Sequence, residues 1–175
     1  MGSMGWAYIN VPKEIKEKMF QIGRQIDKED LHENGRDDQP HITIKYGLIT
    51  DDYSLIRECL NGQTAGKAYM GKLSLFENDE YDVLKVTCSG SALHRLHKAL
   101  NQLPHEDSFL KYNPHAMIAY LKKGTGKKYL RKFTIDKYFE FDTMYFKKAD
   151  GVKSISINLN KKKASFNLKD HRSKK

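Results

Sequence analysis

Two short segments combine residue types that can carry acid–base chemistry: Gln39-Pro40-His41-Ile42-Thr43-Ile44-Lys45-Tyr46 and Asn113-Pro114-His115-Ala116-Met117-Ile118-Ala119-Tyr120. Each reads amide, proline, histidine, then isoleucine and tyrosine at the same offsets. Imidazole changes charge near neutral pH, so one histidine can take a proton while a second gives one. Two histidines in equivalent settings, one in each half of the chain, predict two equivalent strands facing one cleft.

Alternate residues of a strand share a face. On that rule His41, Thr43 and Lys45 point one way, and Ile42, Ile44 and Tyr46 the other. In the second copy His115, Met117 and Ala119 point one way, and Ala116, Ile118 and Tyr120 the other. The Ile44 and Ile118 side is the natural core face, which leaves both histidines on the cleft. Pro40 and Pro114 suit the first position of a strand, because proline cannot donate to the ladder.

The elements that position these segments follow from periodicity. Trp6 to Val11 alternates and closes at Pro12, which predicts a strand with Trp6, Tyr8 and Asn10 on one face. Ile15, Met19, Ile22 and Ile26 recur at helical spacing and predict an amphipathic helix from Lys13 to about Lys28. Glu29 to Gln39 is polar, contains Asn34-Gly35 and reads as a loop. A short helix follows from Asp51 to Leu60, then strands at Lys67–Glu77 and Asp82–Cys88. A second amphipathic helix spans Ser91–Leu103, with Ser89 or Ser91 as its cap. Pro104 to Asn113 reads as a loop, and Lys127 to Lys132 as a turn of helix. Tyr138–Phe146 and Val152–Leu159 read as a last hairpin. Runs of neighbouring strands with few helices predict an antiparallel α+β fold with an internal duplication.

The two histidine segments resemble the 2H phosphoesterase superfamily, whose mark is His-x-Thr followed by an apolar residue, twice in one chain. Members include 2′-5′ RNA ligase-like proteins, cyclic phosphodiesterases and phage nucleases that destroy cyclic-oligonucleotide immune signals. The resemblance covers nearly all of Met4 to Leu159 and implies a bilobal, pseudo-twofold α+β fold with antiparallel sheets and flanking helices around a central groove. It implies metal-independent phosphodiester cleavage, with no cofactor. One histidine of His41 and His115 acts as base and the other protonates the leaving oxygen, in an order the residues leave open. Thr43 holds a nonbridging oxygen. The expected substrate is a cyclic oligonucleotide, a 2′-5′ linked oligonucleotide or a 2′,3′-cyclic phosphate end. By analogy alone, the small lysine-rich chain is compatible with a phage protein that degrades or captures immune second messengers.

The first copy fits the family pattern; the second has Met117 where a threonine or serine is expected. A thioether cannot donate to a phosphate oxygen. Three readings follow: Lys45 supplies the contact as a cation, the substrate is held asymmetrically, or the protein binds a nucleotide and cleaves it slowly or not at all. The last makes a nucleotide-binding sponge the alternative function. Tyr8, beside Trp6 on the cleft face, reads either as a stacking surface for a base or as an aromatic covering the core. Tyr112, Tyr138, Phe139, Phe141, Tyr145 and Phe146 read as core.

Other chemistry finds little support. Cys59 and Cys88 lack the spacing of a disulfide framework or zinc site and read as free thiols in a reducing compartment. His94 and His97 form a close pair without a carboxylate or cysteine at ligand spacing, so surface histidines are expected and no metal. His32, His105 and His171 fall in polar loops or the tail. No nucleotide-binding glycine pattern occurs.

The net charge is +9, but residues 160–175 hold seven lysines and arginines against Asp170. That segment reads as a basic, flexible tail, and an RNA-binding or RNA-end-processing role through it is a third function class. No run of about 18 apolar residues predicts a membrane span, and no apolar segment near the start predicts a signal peptide. Met1-Gly2-Ser3 reads as an expression scar before a single domain over residues 4–159. A cytoplasmic monomer is expected.

Overall fold

The computed structural model describes residues 4–107, 111–151 and 153–160. Met1-Gly2-Ser3, read above as a scar, and residues 161–175 of the segment read as a tail lie outside these residues. The chain runs β1 (Gly5–Asn10), α1 (Lys13–Arg24), β2 (Leu31–Arg36), β3 (His41–Leu48), α2 (Tyr53–Leu60), β4 (Gly66–Glu77), β5 (Tyr81–Ser89), α3 (Ser91–Leu100), β6 (His115–Lys122), β7 (Thr134–Phe141), β8 (Thr143–Lys147) and β9 (Ser154–Asn158). Short 3-10 turns occupy Lys28–Asp30 and Lys127–Tyr129.

The strands form two antiparallel sheets, a four-stranded one in the order β3-β1-β8-β9 and a five-stranded one in the order β2-β6-β5-β4-β7. The halves interleave. β2, from the first half, lies beside β6 in the five-stranded sheet, and β8 and β9, from the second, complete the four-stranded one. The two histidine strands, β3 and β6, come from different sheets and touch. This is the two-lobed α+β architecture expected.

The helices cover the inner faces with the residues their periodicity selects. Ile15, Met19 and Ile22 of α1 are buried, as are Leu93, Leu96 and Leu100 of α3. Ile42, Ile44, Ala116 and Ile118 from the two histidine strands are buried in the same core. No helix among the described residues is long and apolar enough to cross a membrane.

Three local expectations are corrected. The polar segment after α1 is not all loop: it holds β2, an edge strand that pairs Leu31 with Leu121 and Arg36 with Ala119. An edge strand needs only backbone pairing on one side, so its polar side chains hide it from a periodicity search. The last hairpin is shorter than expected, because the chain changes sheets at Asp142. Phe139 and Phe141 fill the core from β7, and Met144 and Phe146 from β8; their alternation slips by one residue at the crossing. Finally, Gly90, not a serine, stands at the N-cap of α3, with no side-chain cap. A Cβ there would lie 2.6 Å from the Lys67 carbonyl oxygen, which leaves no room for a serine.

Candidate active site

The repeated amide-Pro-His sequence has a repeated geometry. His41 Nδ1 lies 2.9 Å from the Gln39 carbonyl oxygen, and His115 Nδ1 lies 2.8 Å from the Asn113 carbonyl oxygen. A carbonyl only accepts, so each Nδ1 carries the hydrogen and each Nε2 is left to take or give a proton. Among the described residues no hydrogen bond engages either Nε2. Each ring is thus fixed in one tautomer by the residue two places before it, with proline between.

The two rings stand on strands that touch. The His115 side chain reaches solvent, with protein packed around part of it. Burial holds its pKa below the ordinary histidine value; the Asn113 carbonyl opposes this, and the charges of Lys85 and His41 reinforce it. His41 and His115 therefore lie within electrostatic reach across the junction of β3 and β6.

Both strands carry a bulge at the same motif position. Ala7 pairs with Lys45 and Tyr8 with Thr43, so Ile44 is the extra residue of β3. Leu84 pairs with Ala119 and Lys85 with Met117, so Ile118 is the extra residue of β6. A bulge reverses the faces beyond it. Lys45 is consequently buried at 2% exposure, and its ammonium pairs with Asp107. It does not share the His41 face, contrary to simple alternation. Tyr46, 53% exposed, takes that face instead, and Tyr120 does so in the second copy, leaving Ala119 in the core.

Lys85 stands where Lys45 was expected. It is the cross-strand partner of Met117, two residues along β5 from Thr87, itself the partner of His115. Its ammonium donates to Ser74 Oγ at 3.0 Å, Thr87 Oγ1 donates to the same oxygen at 2.9 Å, and no carboxylate among the described residues pairs with it. Burial holds the Lys85 pKa below its ordinary value. Sequence alone does not single it out from the many other lysines; only the β5–β6 register does.

An aromatic group adjoins His41. The Trp6 ring lies 4.9 Å from the His41 ring, the Tyr8 ring 5.3 Å from it, and Trp6 and Tyr8 are 4.5 Å apart. Tyr145 stacks on Tyr8 at 5.5 Å, so it is part of this group and not of the core alone. The Tyr8 hydroxyl shares a 2.8 Å hydrogen bond with Ser154 Oγ, and Lys147 reaches over Trp6. Thr43, the cross-strand neighbour of Tyr8, is half-buried at the edge of this group.

Behind β3 a second set of side chains holds the bulge. His97 Nδ1 donates to the Ile44 carbonyl at 2.7 Å, and the Tyr112 hydroxyl donates to the Thr43 carbonyl at 2.8 Å. The His97 and Tyr112 rings stack at 4.1 Å, nearly parallel. His97 is therefore a half-buried brace and not a surface residue, and burial is the main cause of its lowered pKa. His105 is likewise engaged, with Nε2 3.4 Å from Asp107 and Nδ1 on the Leu103 carbonyl. The glycine in this region is required: Gly47 has φ +83, and a Cβ there would fall 2.1 Å from the Glu106 carbonyl oxygen.

Among the described residues no group of three or more His, Cys, Asp or Glu side chains is placed to hold a metal ion. Cys59 and Cys88 are free, and burial pushes the Cys88 thiol up to about 12, which makes it a poor nucleophile.

Neither a family model nor a curated protein matches the sequence. Solved structures do match in fold. TT0787 of Thermus thermophilus superposes with a TM-score of 0.62 at 11% identity, over 91% of this chain and 99% of that one. Kluyveromyces marxianus Usb1 with uridine monophosphate gives 0.58 at 11% identity, over 90% and 99%. A crystal structure described as a phosphoesterase gives 0.57 at 13% identity, over 90% and 96%. With the paired histidine strands and the two interleaved sheets, these likenesses show that the chain has the fold of the 2H phosphoesterases.

Proposed function

We propose that the chain is a metal-independent phosphodiesterase that cleaves a nucleotide phosphodiester by two-histidine acid–base catalysis. The matched fixation of His41 and His115, each with Nδ1 on a carbonyl and Nε2 open, carries the reading. His115, whose pKa is lowered by burial and by the nearby charge of Lys85, is the base; it takes the proton of a water or ribose hydroxyl as that oxygen attacks phosphorus. His41 gives a proton from Nε2 to the departing oxygen as the P–O bond breaks. Thr43 and Lys85 hold the nonbridging oxygens, so Lys85 does the work assigned from the sequence to Lys45. Charge-assisted contacts of this kind strengthen as negative charge grows on phosphorus. The Trp6–Tyr8 rings take a base, in keeping with the neighbouring Usb1 structure that holds uridine monophosphate.

The test is incubation of the pure protein in EDTA with cyclic di- and trinucleotides, 2′-5′ oligoadenylate and 2′,3′-cyclic nucleotides, with products read by chromatography and mass. Product that disappears in His115→Ala is the expected result. Ligand recovered intact, with no product, instead establishes the sponge reading that Met117 favours.

A further inference from the structure

The wet face of the five-stranded sheet carries a second aromatic pair, away from the histidines. The faces follow from the register of β5, which is free of bulges. His115 pairs with Thr87; two residues on, Ser89 pairs with Tyr69, and Tyr69 pairs with Tyr138 on β7. Directly opposed residues share a face, as do residues two apart on one strand. His115, Thr87, Ser89, Tyr69 and Tyr138 therefore lie on one surface. Lys85 is on it by the same rule, and Lys67 by its spacing from Tyr69.

Tyr138 is 68% exposed, more than any other large hydrophobic side chain among the described residues. Its ring lies 4.6 Å from that of Tyr69, and the Lys67 ammonium sits 5.9 Å from its centroid. The pair is braced before any ligand arrives: the Tyr69 hydroxyl donates to Asp136 Oδ1 at 2.6 Å. Asp136 has φ +48, the one non-glycine residue with positive φ among those described. Such a conformation persists only when its surroundings hold it. The acids here are Asp136, tied to Tyr69, and Glu140, the cross-strand partner of Lys67. An extra residue in β4 between Met70 and Leu73 turns exposed Lys72 to this face as well, and Lys67, Lys72 and Lys85 outweigh them. Aromatic faces separated by hydroxyls and lysines suit a strand of bases and phosphates, whereas the centre of a protein interface is apolar and poor in lysine.

We propose that this face is a binding track for a single-stranded oligonucleotide. The strand runs from the histidine pair across β5 and β4, and one base stacks on the exposed Tyr138 ring. Three strand spacings of about 4.8 Å separate β6 from β7, roughly 14 Å, beyond the reach of a single nucleotide seated at His115. The inference rests on the phosphodiesterase reading for where the strand begins, and it favours a chain over a mononucleotide as substrate. Binding itself is measured without turnover.

The test uses the full chain carrying His115→Ala, so that no probe is cleaved. A fluorescent single-stranded octauridylate and the dinucleotide UpU are titrated against it, with and without Tyr138→Ala. One base lost from an aromatic ring weakens the octamer at least about fivefold. UpU affinity stays unchanged, Tyr138→Phe restores the octamer, and Lys67→Ala with Lys72→Ala flattens the salt dependence. Equal octamer affinity with and without Tyr138→Ala overturns the track, as does an equal loss for octamer and UpU. Failure of the phosphodiesterase reading shows separately, as no product from the unmutated chain with any substrate.

Discussion

Lys85 stands directly across the β5–β6 ladder from Met117, the residue that breaks the second histidine motif. The motif loses a hydroxyl, and the neighbouring strand supplies an ammonium whose hydrogen-bond partner among the described residues is Ser74. Lys45, adjacent to the first motif in sequence, is instead sealed against Asp107. The two lysines thus separate by test. Lys85→Ala is expected to lower kcat about 100-fold or more, the usual effect of removing one preorganised contact to a developing charge. Lys45→Met is expected to leave kcat near its original value and lower Tm. Steady-state kinetics with thermal melts on both variants decide the matter, and Met117→Thr added to Lys85→Ala is expected to recover part of the lost rate.

The pH profile carries the acid–base assignment. A base with lowered pKa loses its proton earlier, so the acidic limb of kcat/KM should fall below the ordinary histidine value of about 6.5. Lys85 is one cause of that lowering. Removing its charge lets His115 hold its proton more readily, so Lys85→Ala should move the limb upward. A limb that stays in place in the variant argues against His115 as the base.

Stability should also depend on pH in the histidine range. His97 and His115 both have lowered pKa values in the folded chain. As pH falls from about 6.5, the unfolded chain binds protons that the folded chain resists, so stability is lost in that window. The lowered pKa values of Asp30 and Asp107 act only further down, below about 4. Urea unfolding at pH 7.5, 6 and 5 should therefore show a progressive fall, shallower in His115→Gln.

The brace behind Thr43 is open to a single-atom test. Tyr112→Phe keeps the stack on His97 and removes the hydroxyl that holds the Thr43 carbonyl. The loss should cost about 1 kcal/mol of folding stability, the net worth of one hydrogen bond. Denaturant unfolding measures it, and kcat should drop with it if the Thr43 backbone must be held still.

The candidate site residues could be named from the sequence because the features that mark them are local. Amide-Pro-His, twice, sets both histidine rings through carbonyls two residues away, and nothing remote is needed. Ile15, Met19 and Ile22 declare a buried helix face by spacing alone. Alternation up to Ile44 and Ile118 places His41, Thr43, His115 and Met117 correctly with respect to the core. What alternation cannot contain is a residue left out of the ladder. The bulges at Ile44 and Ile118 arise from pairing with β1 and β5, and they exchange Lys45 for Tyr46 and Ala119 for Tyr120 on the face that carries the histidines. Pairing between distant strands also decided that Lys85 meets Met117, that Tyr69 meets Tyr138, and that β2 crosses to the far sheet. Local periodicity chooses which side chains seek the core; the register between strands, a property of the whole chain, chooses which of the remaining ones meet.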